Sequence, residues 1–313
     1  MNIQIRISLA LFLLFFVFHG CSFGPDYFNE GLKKYKSRDY VGSITDYDLE
    51  IQNHPDNDSA YLMKGKAENL MGRFNDAADD FTKSIELNKG FDAYLNRGIA
   101  YLSMNEYTKA EADFNEAIQL NPVSDTAYFC CGYVKDLLHK HEEALVDYNK
   151  AIILNPEYEP AYVNRGNLKS EMEDYPGAVE DYTISIDLNH NDVSAYFNRG
   201  YTLKLLGEYE LAISDFDVVI GIDSLNKEAY SLRGESNLGL KKYTDAITDF
   251  SKIIKMYPHD GKAFFNRGIS YMKLKKKKQG CSDLIKSSEL GYVEANTELT
   301  KNCKNPKLLN KQK

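Results

Sequence analysis

A glycine recurs along this chain with nearly fixed spacing. Gly31, Gly65, Gly98, Gly132, Gly166, Gly200, Gly234 and Gly268 are 34 residues apart in six of the seven intervals and 33 apart in the other. Each sits in a similar setting, as in Ala93-Tyr94-Leu95-Asn96-Arg97-Gly98 and Ala195-Tyr196-Phe197-Asn198-Arg199-Gly200. So regular a period predicts an array of stacked units rather than one folded-back globule. At about 150 residues per domain, 313 residues would suggest two domains. An array escapes that limit, because each unit buries its core against its neighbours.

With each glycine placed at position 8 of its unit, other columns appear. Position 4 is Tyr in seven units and Phe264 in the last, and position 3 is Ala in seven. Position 20 is small, from Ser43 to Gly280. Position 24 is aromatic in seven units, from Tyr47 to Phe250, and becomes Leu284 in the eighth. Position 28 is Ile in seven, from Ile51 to Ile254. Small residues make room for a close helix and rings fill it. Proline falls only at unit edges and helix starts, so it breaks no helix interior.

These columns resemble the tetratricopeptide repeat across about residues 25–292. The resemblance implies an all-α fold. Each of about eight units would be an antiparallel helix pair, and the pairs would stack into a right-handed α-solenoid. The implied organisation is a signal segment over 1–20, a linker over 21–26, the array over 27–292, a cap helix over 293–303 and a disordered tail over 304–313. In the third unit, Asp92–Met104 and Tyr107–Leu120 are helix-compatible and Asn105-Glu106 is the turn. Other units turn at Gly72 and Gly207, and the last at Lys275–Lys278.

The N-terminus is a separate object. Ile7 to Phe18 is apolar apart from Ser8, too short to span a bilayer comfortably but suited to a signal-peptide core. It ends in Phe18-His19-Gly20-Cys21, which resembles a bacterial lipobox with Cys21 as the acylated residue. Phe18 and His19 depart from that pattern, so ordinary secretion and an uncleaved anchor stay open. Ser22 after the cysteine implies sorting to the outer membrane, facing the periplasm. The other site is a secreted or soluble periplasmic one.

Position 23 is Asp in every unit, and position 7 is Arg in five. We expect salt bridges from each Asp to the base of the following unit: Asp80 to Arg97, Asp147 to Arg165, Asp181 to Arg199, Asp215 to Arg233 and Asp249 to Arg267. Pairing inside a unit would set Glu30, at position 7 of the first, against Asp46. Cys131 occupies position 7 of the fourth unit, which predicts that Asp113 is exposed or held by another donor.

In proteins of the resembled family, ligands lie in the groove lined by each unit's first helix. The residues that would face or flank it here are Phe28, Asn96, Phe129, Tyr133, Asn164, Phe197, Asn198, Tyr201, Phe265 and Asn266. Asn side chains both donate to and accept from a peptide backbone, and aromatics supply rigid contact area. The alternative is that many of them only touch neighbouring helices. The family's two-carboxylate clamp needs Lys at position 5 with Asn at position 9, and Arg at position 6 of a later unit. No unit has that Lys, Asn167 is paired with Val163, and position 6 is never Arg.

The net charge of −8 argues against a general nucleic-acid binder, which needs a basic surface. No phosphate loop or nucleophile elbow is present, and no cofactor, metal or small-molecule substrate is expected. A zinc site from Cys130, Cys131, His139 and His141 would need convergence across about three helical turns, which the spacing forbids. Cys281 and Cys303 read either as a disulfide pinning the cap helix or as two buried thiols. Lys273 and Lys275–Lys278 read as a solvated turn, or as a contact for anionic headgroups or cell-wall polymer. Together these features point to a non-enzymatic, membrane-tethered scaffold for segments of other envelope proteins. A periplasmic chaperone or receptor with many clients is the alternative, and a hydrolase has no visible constellation.

Overall fold

The computed structural model describes residues 26–303. The signal-like segment, Cys21 and the lysine-rich tail lie outside the described residues. Among the described residues there are helices and no strand. Sixteen helices form eight pairs, and each pair is one repeat: α1 (Tyr27–Lys36) with α2 (Tyr40–Asn53), α3 (Asp58–Leu70) with α4 (Phe74–Leu87), α5 (Phe91–Ser103) with α6 (Tyr107–Leu120), α7 (Asp125–Leu137) with α8 (His141–Leu154), α9 (Glu159–Glu171) with α10 (Tyr175–Leu188), α11 (Val193–Leu206) with α12 (Tyr209–Ile222), α13 (Lys227–Gly239) with α14 (Tyr243–Met256), and α15 (Gly261–Lys273) with α16 (Lys277–Glu289). A seventeenth, α17 (Glu294–Asn302), closes the array. The chain divides after Pro122 into two compact units. The first holds repeats one to three, and the second holds repeats four to eight with α17.

Local chemistry explains the pairs. The first helix of several repeats opens on a side-chain cap: Asn57, Ser124, Asn226 and Asp260 each accept from the backbone N–H three residues on. Such a cap contributes about 1 kcal/mol. Each first helix then stops at a residue with positive φ, from 57° at His139 to 80° at Gly207. Only Gly72 and Gly207 among the eight are glycines, so the left-handed turn is imposed on Arg38, Asn105, His139, Glu173, Lys241 and Lys275 as well.

The position-8 glycine sets the spacing inside a pair. A Cβ on Gly98 would stand 2.6 Å from the Phe114 ring, and one on Gly166 would stand 2.8 Å from the Tyr182 ring. Those position-24 rings are the deepest side chains of the fold; Tyr47, Phe81, Phe114, Tyr148, Phe216 and Phe250 expose nothing. Within each unit the second helix of one repeat packs on the first helix of the next. In the second unit, Leu203, Phe216 and Val219 of repeat six meet Ala229 and Leu232 of repeat seven. Tyr230, Phe250 and Ile253 of repeat seven meet Ala263 of repeat eight.

The ion ladder is wired differently from the expectation. In the five repeats with an arginine at position 7, the Asp takes the arginine of its own repeat. Arg97 donates from Nε and Nη2 to both oxygens of Asp113 at 2.8 Å. Arg165 pairs with Asp181, Arg199 with Asp215, Arg233 with Asp249 and Arg267 with Asp283 in the same bidentate way, all between 2.5 and 3.2 Å. The pairings Asp80 to Arg97, Asp147 to Arg165, Asp181 to Arg199, Asp215 to Arg233 and Asp249 to Arg267 are therefore corrected. The reason is geometric. Two antiparallel helices joined by a three-residue turn bring positions 7 and 23 level, and the adjacent glycine lets them close. Asp113 is buried and held by Arg97, so Cys131 costs it nothing.

The contact between repeats runs through another column. The remaining arginine nitrogen, Nη1, reaches back to position 25 of the preceding repeat. Arg97 meets Thr82, Arg165 meets Asn149, Arg199 meets Thr183, Arg233 meets Asp217 and Arg267 meets Ser251, at 2.5 to 3.1 Å. The same guanidinium groups lie 5.4 to 5.6 Å over the position-4 ring three residues earlier, as Arg199 does over Tyr196. Where position 7 is not basic, a lysine one turn later supplies the charge: Lys34 pairs with Asp46 and Lys135 with Asp147, both at 2.7 Å. Glu30 turns outward to Lys33 at 2.7 Å, so the feared repulsion with Asp46 does not arise.

The second repeat is the exception. Its position 7 is Lys64, which meets Asp80 at 3.3 Å and Asp48 at 2.9 Å, and its position 11 is Glu68. Glu68 is buried, with Arg73 at 3.0 Å. Burial and the hydrogen-bonded Asp80 carboxyl push its carboxyl up to about 8.

Candidate peptide-binding surface

In the first unit, the Phe28 ring leans on Tyr47, 6.0 Å between centroids, so it is partly core. Asn96 turns one amide hydrogen back to the Asp92 carbonyl at 2.7 Å, and its own carbonyl accepts from Asn69 at 3.2 Å. Leu70, at position 13, is exposed.

In the second unit, half-buried aromatics recur on the first helices of repeats four, six and eight. Phe129 stacks with Tyr133 at 6.5 Å and meets Tyr148 and Tyr158 at 6.0 and 5.1 Å. Phe197 packs on Phe216 at 6.1 Å, and Phe265 on Tyr292 at 5.1 Å. Each ring is thus partly buried against a neighbouring ring. Tyr201, one turn beyond Phe197, is 42% exposed, and Leu137 and Leu205 are exposed beside that row.

The asparagines are less free than their residue type suggests. Asn164 donates to the Pro160 carbonyl at 2.8 Å. Asn198 donates to Asn167 at 2.9 Å, and Tyr182 donates its hydroxyl to the same Asn167 oxygen at 2.8 Å. Asn266 accepts at its backbone carbonyl from Ser270. Part of the position-6 column therefore ties helices together.

Ser231 stands at position 5 of repeat seven, between Phe197 and Phe265 in that column. The missing ring leaves a cleft of about 670 Å3, lined among others by Lys227, Ser231, Asp260 and Lys262. The charged lining residues Lys227, Asp260 and Lys262 are paired with each other or with a neighbour outside the cleft. Glu235 joins Lys204 at 2.6 Å and Lys262 at 2.8 Å, and Lys227 joins Asp260 at 2.6 Å. Burial raises the Glu235 carboxyl, but the two ammonium groups outweigh it and hold it below the usual range. Sequence reasoning missed this notch and its rim; the signal was the one small residue in an otherwise apolar column.

Nothing in this surface resembles a nucleophile with its base. Burial pushes the Cys130 thiol up to about 12, which makes it inert, and Cys131 is buried. Lys273 and Lys275–Lys278 are exposed around the last turn. Cys281 and Cys303 form a disulfide between α16 and the end of α17. Among the described residues no helix is long and apolar enough to cross a membrane.

Four models of the tetratricopeptide repeat match the chain, over residues 58–91, 91–122, 163–227 and 228–260. Among solved structures, YrrB, described as a tetratricopeptide repeat protein with an unusual peptide-binding site, is 27% identical with a TM-score of 0.55, over 59% of this chain and 96% of its own. A tetratricopeptide repeat protein from Parabacteroides merdae is 20% identical with a TM-score of 0.54, over 79% of this chain and 99% of its own. The pilF protein of Pseudomonas aeruginosa is 18% identical with a TM-score of 0.56, over 70% and 97%. No curated protein matches the chain.

Proposed function

The chain belongs to the tetratricopeptide repeat family, and from that premise we propose that it is a non-enzymatic scaffold that binds peptide segments of cell-envelope proteins on the first-helix face of its repeats. The observation that carries this reading is the row of half-buried aromatics in the second unit together with the cleft lined by Ser231, the position-5 residue of repeat seven. A large side chain of a partner would fill the cleft, and its backbone would meet the charged lining at Lys227, Asp260 and Lys262. YrrB, with its peptide-binding site, supports a peptide as the class of ligand. Acylation of Cys21 would tether the scaffold to the outer membrane, facing the periplasm.

A photo-crosslinking residue in place of Tyr201, in native envelopes, tests the surface. Ile153, 72% exposed on the second helix of repeat four, is the control position. One stoichiometric adduct at Tyr201 and none at Ile153 supports the scaffold. Many weak adducts at Tyr201 favour a chaperone, and adducts at Ile153 alone refute the assignment of the face. Substituting Cys21→Ser should move the protein from the membrane fraction to the soluble one; retention would reject the lipid tether.

A further inference from the structure

Three departures from the repeat pattern meet at one place in the second unit. At position 12 the fourth repeat carries Asp136, where the other seven have no acid. At position 13 the fifth repeat carries Glu171, again the one acid of its column. At position 17, six repeats carry Tyr or Phe, and the fourth carries His141. The fold brings these three side chains together. One nitrogen of the imidazole and one oxygen of each carboxylate all lie within 4.8 Å of one another. Among the described residues no other such group occurs.

The geometry suits a cation. His141 Nδ1 stands 3.3 Å from Asp136 Oδ1, and two ligands on tetrahedral zinc, with bonds of ~2.0 Å, lie about 3.3 Å apart. Asp136 lies in the last turn of α7 and Glu171 ends α9. Two helix C-termini thus add their partial negative charge to two carboxylates. A second imidazole is close, since the His139 ring lies 5.7 Å from that of His141. No cysteine belongs to the group, so the ligand set differs from the Cys–His set that the spacing excluded.

We propose that Asp136, His141 and Glu171 bind a divalent transition-metal cation of the zinc class, tying α7, α8 and α9 together at the step from repeat four to repeat five. The mixed nitrogen and oxygen donors favour Zn2+ over Mg2+, which takes oxygen ligands and keeps its waters. Open positions on the ion would be filled by water or by His139.

The test uses the full chain without an affinity tag, stripped with chelator and titrated with ZnCl2 in a calorimeter, with MgCl2 as control. One saturable Zn2+ site, a rise in Tm with Zn2+ and no response to Mg2+ are expected. His141→Tyr restores the residue that five other repeats carry, so it should fold and keep the metal-free Tm. It should weaken Zn2+ binding more than about tenfold. Glu171→Gln, at an exposed position, should weaken it as well and stands in if His141→Tyr misfolds. The site is overturned if the parent shows no saturable binding, if Mg2+ acts as Zn2+ does, or if both variants bind Zn2+ as the parent does.

Discussion

At the scale of single residues, the fold rests on space and charge withheld as much as supplied. Gly98 has a buried ring where its Cβ would be, while Gly221 in α12 has nothing within 4 Å. Gly98→Ala should therefore destabilise the first unit by about 1–3 kcal/mol through overpacking. Gly221→Ala should stabilise the second by about 0.5–1 kcal/mol, since only backbone entropy changes. Urea unfolding reads both, and equal effects would reject the packing account. Glu68 gives a pH test. Its carboxyl titrates near 4.5 when unperturbed and is raised to about 8 in the fold. A raised native value means that its stabilising contribution is complete below 4.5 and is lost as pH rises through about 8. Glu68→Gln cannot ionise. Its Tm relative to the parent should climb across that window, and a difference that is flat with pH would disprove the assignment. The glycine period announced the first effect in advance. Glu68 gave no such warning, because its burial depends on what α3 packs against.

Among helices, the arginine fork decides how a repeat closes. Arg199→Met leaves Asp215 buried without its partner and should cost about 3 kcal/mol or more. Arg199→Met combined with Asp215→Leu should cost much less, because no charge is then stranded. A double variant as unstable as the single one would mean that the loss lies in shape. Much of this level was legible. The columns at positions 4, 8, 20 and 24 define which faces meet, and the helices follow those faces. The wiring of the ions was not legible. Glu30 looked like a repulsive partner for Asp46, but Lys34, one turn along the same helix face, takes that place. Left-handed turns at Lys241 and Lys275 were equally hidden, since lysine carries no mark of positive φ.

At the scale of the whole molecule, the end of the second unit is held covalently. α17 packs on α16, and the disulfide closes a loop with a sequence separation of 22. In the chain-entropy account such a closure is worth about 3 kcal/mol. Cys303→Ser should therefore raise amide exchange across 294–302 and leave the helices of repeats five and six protected. Uniform loss of protection would show that α17 is needed by the entire unit. Here too the sequence was informative to a point. Array, helix class and the candidate binding face are carried by the period. The cleft at Ser231 and the meeting of Asp136, His141 and Glu171 depend on which non-repeating residues the solenoid places side by side, and no period encodes that.

The backward reach of each arginine has one more consequence. It makes the repeats directional, like bricks with a peg on one side and a socket on the other. The first repeat has Glu30 in the peg position, and the eighth has Ile285 in the socket position, where six earlier sockets engage a following base. An interior repeat can be removed or duplicated in register with every remaining peg still meeting a socket. Moved inward, the eighth repeat would leave a guanidinium facing Ile285, and the first would set the Glu30 carboxylate, in place of a base, at the socket before it. Array length is thus free to drift, while the identity of the two ends is written into the chain.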